Sequence, residues 1–248
     1  CLFCWRFKRA CRMKSMIKKI LPKQWLEYIR IKILSSYATK SYSQEGEDMI
    51  LRRIFEYKAD GFYVDVGAHH PVRFSNTYLF YKQGWTGINI DAMPGAMKLF
   101  NKIRRKDINL EQAISEKEKT LTYYQFNDPA LNGFDVKLSE KRDSEPNGYN
   151  IQFKTQLKTK SLEIILDDYL PINKIIDFMS IDVEGLDYEV LRSLNLIKYK
   201  PRVLLLEILY TSDNNNKNEI VSYLEQNGYV YFAKTLNTTF FMHKDFLR

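Results

Sequence analysis

Between residues 61 and 208 the sequence alternates between short apolar runs and amphipathic segments, and this alternation constrains the fold more than any other feature. The apolar runs predict buried strands at 61–67, 86–91, 108–114, 175–181 and 203–208. The segments with helical spacing predict helices at 76–83, 96–105, 161–170, 185–194 and 218–227. Strands that alternate with helices over about 150 residues predict an α/β protein with a doubly wound sheet.

Three further segments complete the predicted sheet. The last two apolar runs, 229–233 and 239–243, predict an antiparallel pair at one edge. The run Thr120–Phe126 predicts another edge strand. Residues 127–160 are polar and contain turn signals such as Asn132-Gly133, so they predict an inserted loop.

The positive charge of the chain lies almost entirely in its first 40 residues. That segment holds eleven Lys and Arg side chains against one acid, whereas residues 41–248 hold 27 basic and 29 acidic side chains. The net charge of +8 is therefore +10 in an N-terminal arm, residues 1–40, and −2 in the body, residues 41–248. Because nucleic-acid-binding enzymes usually carry their positive field on the main domain, no nucleic-acid partner is expected.

The arm contains a predicted amphipathic helix. Apolar residues recur at helical spacing after Pro22, namely Trp25, Leu26, Ile29, Ile33 and Leu34. Such a basic helix either lies on an anionic membrane surface or packs on the body with its charged residues in solvent. All three cysteines fall in the first eleven residues, and no run of 18 apolar residues occurs. We therefore expect a cytoplasmic protein, either free or held peripherally at the inner membrane face.

The ends of the first two strands carry residues suited to a nucleoside ligand. Ligands of open α/β sheets bind beyond the carboxyl ends of the strands. There Gly67 lets the backbone approach a ligand, Asp65 can accept hydrogen bonds, and Asp91 can hold both hydroxyls of a ribose. The first turn lacks Gly-x-Gly-x-x-Gly and so has no cradle for a pyrophosphate, which favours S-adenosylmethionine over a nicotinamide cofactor. Loop capping is the alternative role of the two acids.

Three more carboxylates follow the next strands of the sheet. Asp182 and Glu184 come directly after the fourth predicted strand, and Glu207 closes the fifth. Asp182, Glu184 and His70 are candidates for the base that removes a proton from an acceptor hydroxyl. Asp182 and Glu207 are also candidate ligands for a divalent cation such as Mg²⁺. The structural alternatives are a helix N-cap for the acids and a turn residue before Pro71 for His70.

Five motifs in sequence order resemble those of the FkbM-type methyltransferases, which are Rossmann-like and use S-adenosylmethionine. The matching segments are Ser43–Asp48, Phe62–Ala68, Gly87–Asp91, Gln112–Ser115 and Ser180–Gly185. The resemblance implies a seven-stranded sheet of order 3-2-1-4-5-7-6 with strand seven antiparallel. It also implies O-methylation of a sugar hydroxyl on a glycan or a glycan precursor.

The same resemblance assigns the cofactor-binding residues. Gln44, Asp65, Gly67 and Ala68 would line the methionine part of the cofactor, and Asp91 would hold the ribose. Ala113 and Ser115 would flank the adenine. The segment His69–Pro71 and the arm depart from the family pattern. The resemblance therefore does not identify the acceptor molecule.

Two other functions fit the same architecture. A nicotinamide-dependent oxidoreductase or epimerase would need a glycine-rich pyrophosphate turn, which residues 65–71 do not contain. A non-catalytic α/β module would use the basic arm to bind a membrane or a partner. The joint presence of Asp65, Gly67 and Asp91 argues against a degenerate cofactor site.

Overall fold

A computed structural model describes residues 22–32, 38–56, 58–208 and 214–247 of the chain. The chain divides into two units, Cys1–Lys40 and Ser41–Arg248. In the first unit the described part is helix α1, Lys23–Lys32, in which Trp25 is 56% exposed. The side chains of Leu26 and Ile29, residues 33–34 and the three cysteines lie outside the described residues. No helix among the described residues is long and apolar enough to cross a membrane.

The body is built on a seven-stranded sheet of order β3-β2-β1-β7-β8-β10-β9. Its strands are β1 Phe62–Val66, β2 Thr86–Asp91, β3 Ile108–Glu111, β7 Phe178–Ile181, β8 Val203–Glu207, β9 Tyr229–Lys234 and β10 Thr238–His243. Strand β10 runs antiparallel to both of its neighbours, and the other pairings are parallel. Counted along the chain, the seven strands lie in the order that the family resemblance implies.

Helices cover both faces of this sheet. Those described in the body are α2 Glu47–Ile54, α3 Tyr78–Gln83, α4 Met97–Ile103, α5 Val136–Ser144, α6 Leu162–Tyr169, α7 Asp187–Arg192, α8 Leu196–Tyr199 and α9 Asn214–Gln226. Alternate residues of β7 enter different cores: Met179 and Ile181 pack with residues of α6, α7 and α9, and Phe178 packs with residues of α2 and α3. A strand buried on both faces is apolar at most positions, which explains the nearly continuous apolar runs of the sequence.

The predicted strand 108–114 is wrong in one respect, because it is two strands in different sheets. Residues 108–111 form β3 of the main sheet, whereas β4, Ala113–Ile114, belongs to a second sheet with β5, Thr120–Phe126, and β6, Ile151–Lys160. The order in this second sheet is β4-β6-β5. The chain turns at Gln112, whose backbone N–H donates to the carbonyl of Asp91 and whose side-chain amide donates to the carbonyl of Lys158. These bonds direct the chain from one sheet to the other.

The inserted loop predicted at 127–160 is also wrong, since most of this segment is regular structure. It contains a 3-10 turn at Pro129–Leu131, helix α5 and the ten-residue strand β6, Ile151–Lys160. Strand β6 pairs antiparallel with β5, Thr120–Phe126, which is therefore part of the second sheet and not an edge of the main one. Much of β6 faces solvent, so its Gln, Lys and Thr residues give it the composition of a loop.

Candidate active site

The carboxyl ends of four parallel strands surround a cavity of about 460 Å³. This volume lies within the range of ~300–1,000 Å³ that is usual for small-molecule sites. One residue comes from each strand end: Gly67 after β1, Asp91 of β2, Asp182 after β7 and Glu207 of β8. The cavity thus lies at the edge of the sheet where the sequence predicts a ligand.

Gly67 brings two of these strand ends into contact. Its φ is +82°, and a Cβ built on it would lie 1.7 Å from the carbonyl oxygen of Asp182. The backbone N–H of Asp182 donates to the carbonyl of Val66 at 3.0 Å, which holds the turns after β1 and β7 together. Only glycine combines this left-handed conformation with so close a backbone approach.

Asp91 is buried and presents its carboxylate at the cavity wall. Its two oxygens accept the backbone N–H groups of His69 at 2.7 Å and Met93 at 2.8 Å. Burial raises the pKa of Asp91, and these two hydrogen bonds oppose the rise. Because each carboxylate oxygen has a second lone pair, the loop-capping role leaves acceptor capacity for ribose hydroxyls.

Asp182, Glu184 and Glu207 form a compact carboxylate cluster, with one oxygen of each within 4.8 Å of the others. Asp182 and Glu207 therefore lie close enough for their ionisations to influence each other. Burial and the neighbouring acids raise the pKa of Glu207 to about 8 and hold the pKa of Asp182 well above its usual range. Because Asp182 is open to the cavity, water there reduces the rise in its pKa.

This cluster has the donor chemistry of a site for a hard cation, and Glu184 adds a third carboxylate to the two predicted ligands. Glu207 Oε2 is buried and has no hydrogen-bond partner among the described residues. The N-cap alternative is not what the structure shows for Asp182 and Glu184. Helix α7 begins at Asp187, whose own carboxylate accepts the N–H groups of Val183 and Gly185.

Glu184 is held by an arginine that the sequence analysis missed. Arg142 of α5 donates to Glu184 Oε2 at 2.8 Å, and this ion pair opposes the burial that raises the pKa of Glu184. The inserted segment also packs on the same turn, where a Cβ on Gly133 would lie 3.1 Å from the Cβ of Glu184. No sequence signal links Arg142 to the site, because it lies 42 positions from Glu184 in a polar segment.

Six of the predicted site residues line the cavity and five do not. Those that line it are Gln44, Gly67, Asp91, Asp182, Glu184 and Glu207, and those outside the lining are Asp65, Ala68, His70, Ala113 and Ser115. Asp65 is buried beneath the cavity, where Thr77 donates to it at 2.9 Å and burial raises its pKa to about 6. Ser115 is buried and donates to Glu189 at 3.0 Å.

Of the two roles considered for His70, a base or a turn residue, the structure shows the turn residue. Its Nδ1 accepts the backbone N–H groups of Val72 and Arg73, at 3.1 and 2.9 Å, and its neighbour His69 lines the cavity instead. Near the residues predicted to flank the adenine, the lining residues are Gln112 and Ile114. These are the immediate neighbours of the predicted Ala113 and Ser115.

Comparison with known proteins identifies the domain. The family model described as "Methyltransferase FkbM domain" matches residues 65–231. No curated protein matches the chain. A crystal structure of a candidate RNA methyltransferase from Pyrococcus horikoshii aligns with a TM-score of 0.42 and 11% identity, over 90% of this chain and 91% of that one. So distant a likeness carries no argument about chemistry, whereas the family model covers about two thirds of the sequence. The chain therefore belongs to the FkbM methyltransferase domain family.

Proposed function

We propose that this protein is an S-adenosylmethionine-dependent methyltransferase that methylates an oxygen atom, namely a sugar hydroxyl of a glycan or a glycan precursor. The observation that carries the proposal is the cavity at the strand ends within a methyltransferase domain. Its described lining holds five carboxylates, Asp91, Asp128, Asp182, Glu184 and Glu207, against two guanidinium groups. This excess of negative charge suits a ligand with a sulfonium and an ammonium group.

The residues present fit that cofactor. Gly67 leaves the backbone bare beside the cavity, and Asp91 retains lone pairs for two ribose hydroxyls. Gln112 and Ile114 offer an amide and an apolar side chain for a base. When bound, S-adenosylmethionine supplies a methyl group already activated by its sulfonium. The protein then has to orient the acceptor oxygen and to take its proton.

Orientation is the larger of these two contributions. Good alignment of two reactants can lower a barrier by ~7–11 kcal/mol, whereas a general base typically adds ~10²–10⁴-fold in rate. We assign the base to Asp182, with Glu207 as the neighbouring carboxylate and Glu184 ion-paired with Arg142. A carboxylate whose pKa is raised by burial and neighbouring acids is a stronger base than one in water.

A divalent cation such as Mg²⁺ held by Asp182 and Glu207 is the alternative use of the same carboxylates. It would act by polarising the acceptor oxygen. Dialysis against a chelator separates the two roles, because a metal-free base keeps its turnover after dialysis. A cation-dependent enzyme would lose turnover and regain it with added Mg²⁺.

The acceptor is tested by a mass-shift screen. The full chain is incubated with S-adenosylmethionine and a panel of nucleotide sugars, glycans and RNA, and each acceptor is examined for an added methyl group. We expect methylation among the sugars and none on RNA, because the body carries no positive field. Methylation of RNA or of a nitrogen atom would overturn the acceptor assignment and leave the methyltransferase assignment standing.

We further propose that the arm holds the protein peripherally at an anionic membrane surface, where a lipid-linked acceptor would be found. Helix α1 exposes Trp25, Tyr28 and Ile31 by 56, 54 and 51%, and the arm carries a net charge of +10. Apolar burial and charge attraction of about 1 kcal/mol for each basic residue would then act together. Sedimentation with anionic vesicles should weaken with salt. Equal sedimentation with neutral vesicles, or none at low salt, would contradict this proposal.

A further inference from the structure

The loop after β1 carries a strained aromatic arrangement that the proposed chemistry does not use. His69 and Phe74 have φ values of +51° and +56°, a left-handed conformation that is unfavourable for bulky side chains. Their rings stack with centroids 6.4 Å apart and an interplanar angle of 22°. Both residues line the cavity. Backbone strain of this kind is concentrated at ligand sites in proteins, because the surrounding structure has to maintain it.

The guanidinium of Arg73 lies over the ring of Phe74. Its guanidinium carbon is 4.3 Å from the centroid of the Phe74 ring, which is a cation–π distance. Stacking on a ring fixes the plane of a guanidinium and leaves the N–H groups at its edge available. The backbone N–H of Arg73 is bonded to His70, which also fixes the start of the side chain.

The charge of Arg73 is not compensated within the described part of the chain. The cavity lining there includes two guanidinium groups, and Arg142 is ion-paired with Glu184. Arg73 has no ion pair and no side-chain hydrogen bond among residues 38–56, 58–208 and 214–247. A stacked, partnerless guanidinium at the rim of an otherwise acidic cavity is a binding group for an anion.

We propose that Arg73, supported by Phe74, binds an oxyanion of a molecule in this cavity: a carboxylate or a phosphate. This inference rests on the proposed function, which supplies two sources of such a group. One is the α-carboxylate of S-adenosylmethionine, and the other is an acidic group on the sugar acceptor. Because five carboxylates line the same cavity and disfavour an anion, Arg73 also orients the molecule that carries it.

The first experiment tests the cofactor as the source of the anion, by calorimetry of the full chain with two ligands. S-adenosylmethionine carries the carboxylate, and decarboxylated S-adenosylmethionine lacks it but keeps the sulfonium and the adenosine. If Arg73 binds the cofactor, Arg73→Gln should lower the affinity for S-adenosylmethionine by about tenfold. The affinity for the decarboxylated compound should not change. Arg73→Lys should give an intermediate loss, because an ammonium keeps the charge but not the bidentate geometry. Arg105→Gln removes an exposed arginine outside the cavity lining and is the matched control.

The second experiment tests the acceptor as the source of the anion. Glucose 1-phosphate and glucose are each titrated into the chain saturated with S-adenosylhomocysteine. If the acceptor supplies the anion, glucose 1-phosphate should bind more tightly than glucose, and Arg73→Gln should abolish that difference. An Arg73-dependent preference for the anionic member of either ligand pair supports the proposal and identifies the source. No such preference in either pair overturns it. Absence of any S-adenosylmethionine binding by the unmodified chain refutes the proposed function instead.

Discussion

Two groups of acids in the body, one fully buried and one facing the cavity, differ in how completely they are compensated. The first is centred on Asp107, which is fully buried with its partner Arg104. Asp107 accepts hydrogen bonds from Arg104 Nε at 2.8 Å, the Tyr63 hydroxyl at 2.7 Å, the Asn89 amide at 3.0 Å and the backbone N–H of Gly87 at 3.0 Å. Both oxygens of this carboxylate therefore have donors, three on Oδ2 and one on Oδ1.

The second group is the cluster of Asp182, Glu184 and Glu207, in which donors are scarce. Arg142 compensates Glu184, while Asp182 and Glu207 have each other, and both of their pKa values are raised by burial and neighbouring acids. Natural proteins rarely crowd acids without partners unless a ligand or a reaction uses them. The first group therefore has the partners of a structural network, whereas the second is the one that we propose takes part in the reaction.

The largest effect should follow from breaking the compensated group. Arg104→Met leaves Asp107 buried without its cation and removes the donor to Thr77, which in turn donates to Asp65. We expect a loss of about 3–5 kcal/mol in the free energy of unfolding, measured by urea denaturation. The exposed neighbour Arg105→Met is the control, with an expected change within about 0.5 kcal/mol. A loss below about 1 kcal/mol for Arg104→Met would contradict the structural role that we assign to this group.

Substitution in the uncompensated group should have the opposite profile. Asp182→Asn should lower methyl transfer by roughly 10²-fold or more, because the acceptor proton loses its base or the cation its ligand. Stability should be kept or raised, since one of two crowded acids is neutralised. Turnover is measured as methylated product, and cofactor affinity by calorimetry should stay unchanged. Near-normal turnover would make Asp182 a structural residue.

The smallest effect concerns the pH dependence of stability. Burial and the charge of Asp182 raise the pKa of Asp187 to about 8 in the folded chain, above the value of about 4 expected when unfolded. The protonated form is thus favoured by folding, so this contribution is complete below about pH 4 and is lost as the pH rises towards 8. The free energy of unfolding should therefore decrease gradually as the pH rises across this window.

Urea denaturation at several pH values measures this slope. The variant Asp187→Asn cannot titrate and should show a shallower slope, while Asp168→Asn, a change at a carboxylate outside the cavity lining, should keep the original one. An equal slope in Asp187→Asn and in the unmodified chain would contradict the assignment.

The sequence predicts the main sheet well and the second sheet poorly, for a physical reason. Strands buried on both faces are almost entirely apolar, which makes runs such as the first four residues of β8 easy to recognise. Strand β6 is half in solvent and reads as a polar loop. The break at Gln112 depends on hydrogen bonds to Asp91 and Lys158, which are distant in sequence and leave no local pattern.

The site shows the same division. Asp91, Asp182 and Glu207 are predictable, because residues that follow parallel strands meet at one edge of the sheet. Along the short strand β4 and the residue before it, the side chains alternate, so Gln112 and Ile114 line the cavity whereas Ala113, between them, does not. Arg142 enters from the inserted segment through tertiary packing, which the sequence does not indicate.

The most direct test of the account is calorimetric titration of the full chain with S-adenosylmethionine and, separately, with NADH. We predict saturable binding of S-adenosylmethionine and none of NADH. Asp91→Ala should weaken the cofactor by roughly 1.5–3 kcal/mol through the lost ribose hydrogen bonds. No heat of binding with S-adenosylmethionine from a folded chain, or binding of NADH in its place, would contradict the central claim that this cavity is a methyl-donor site.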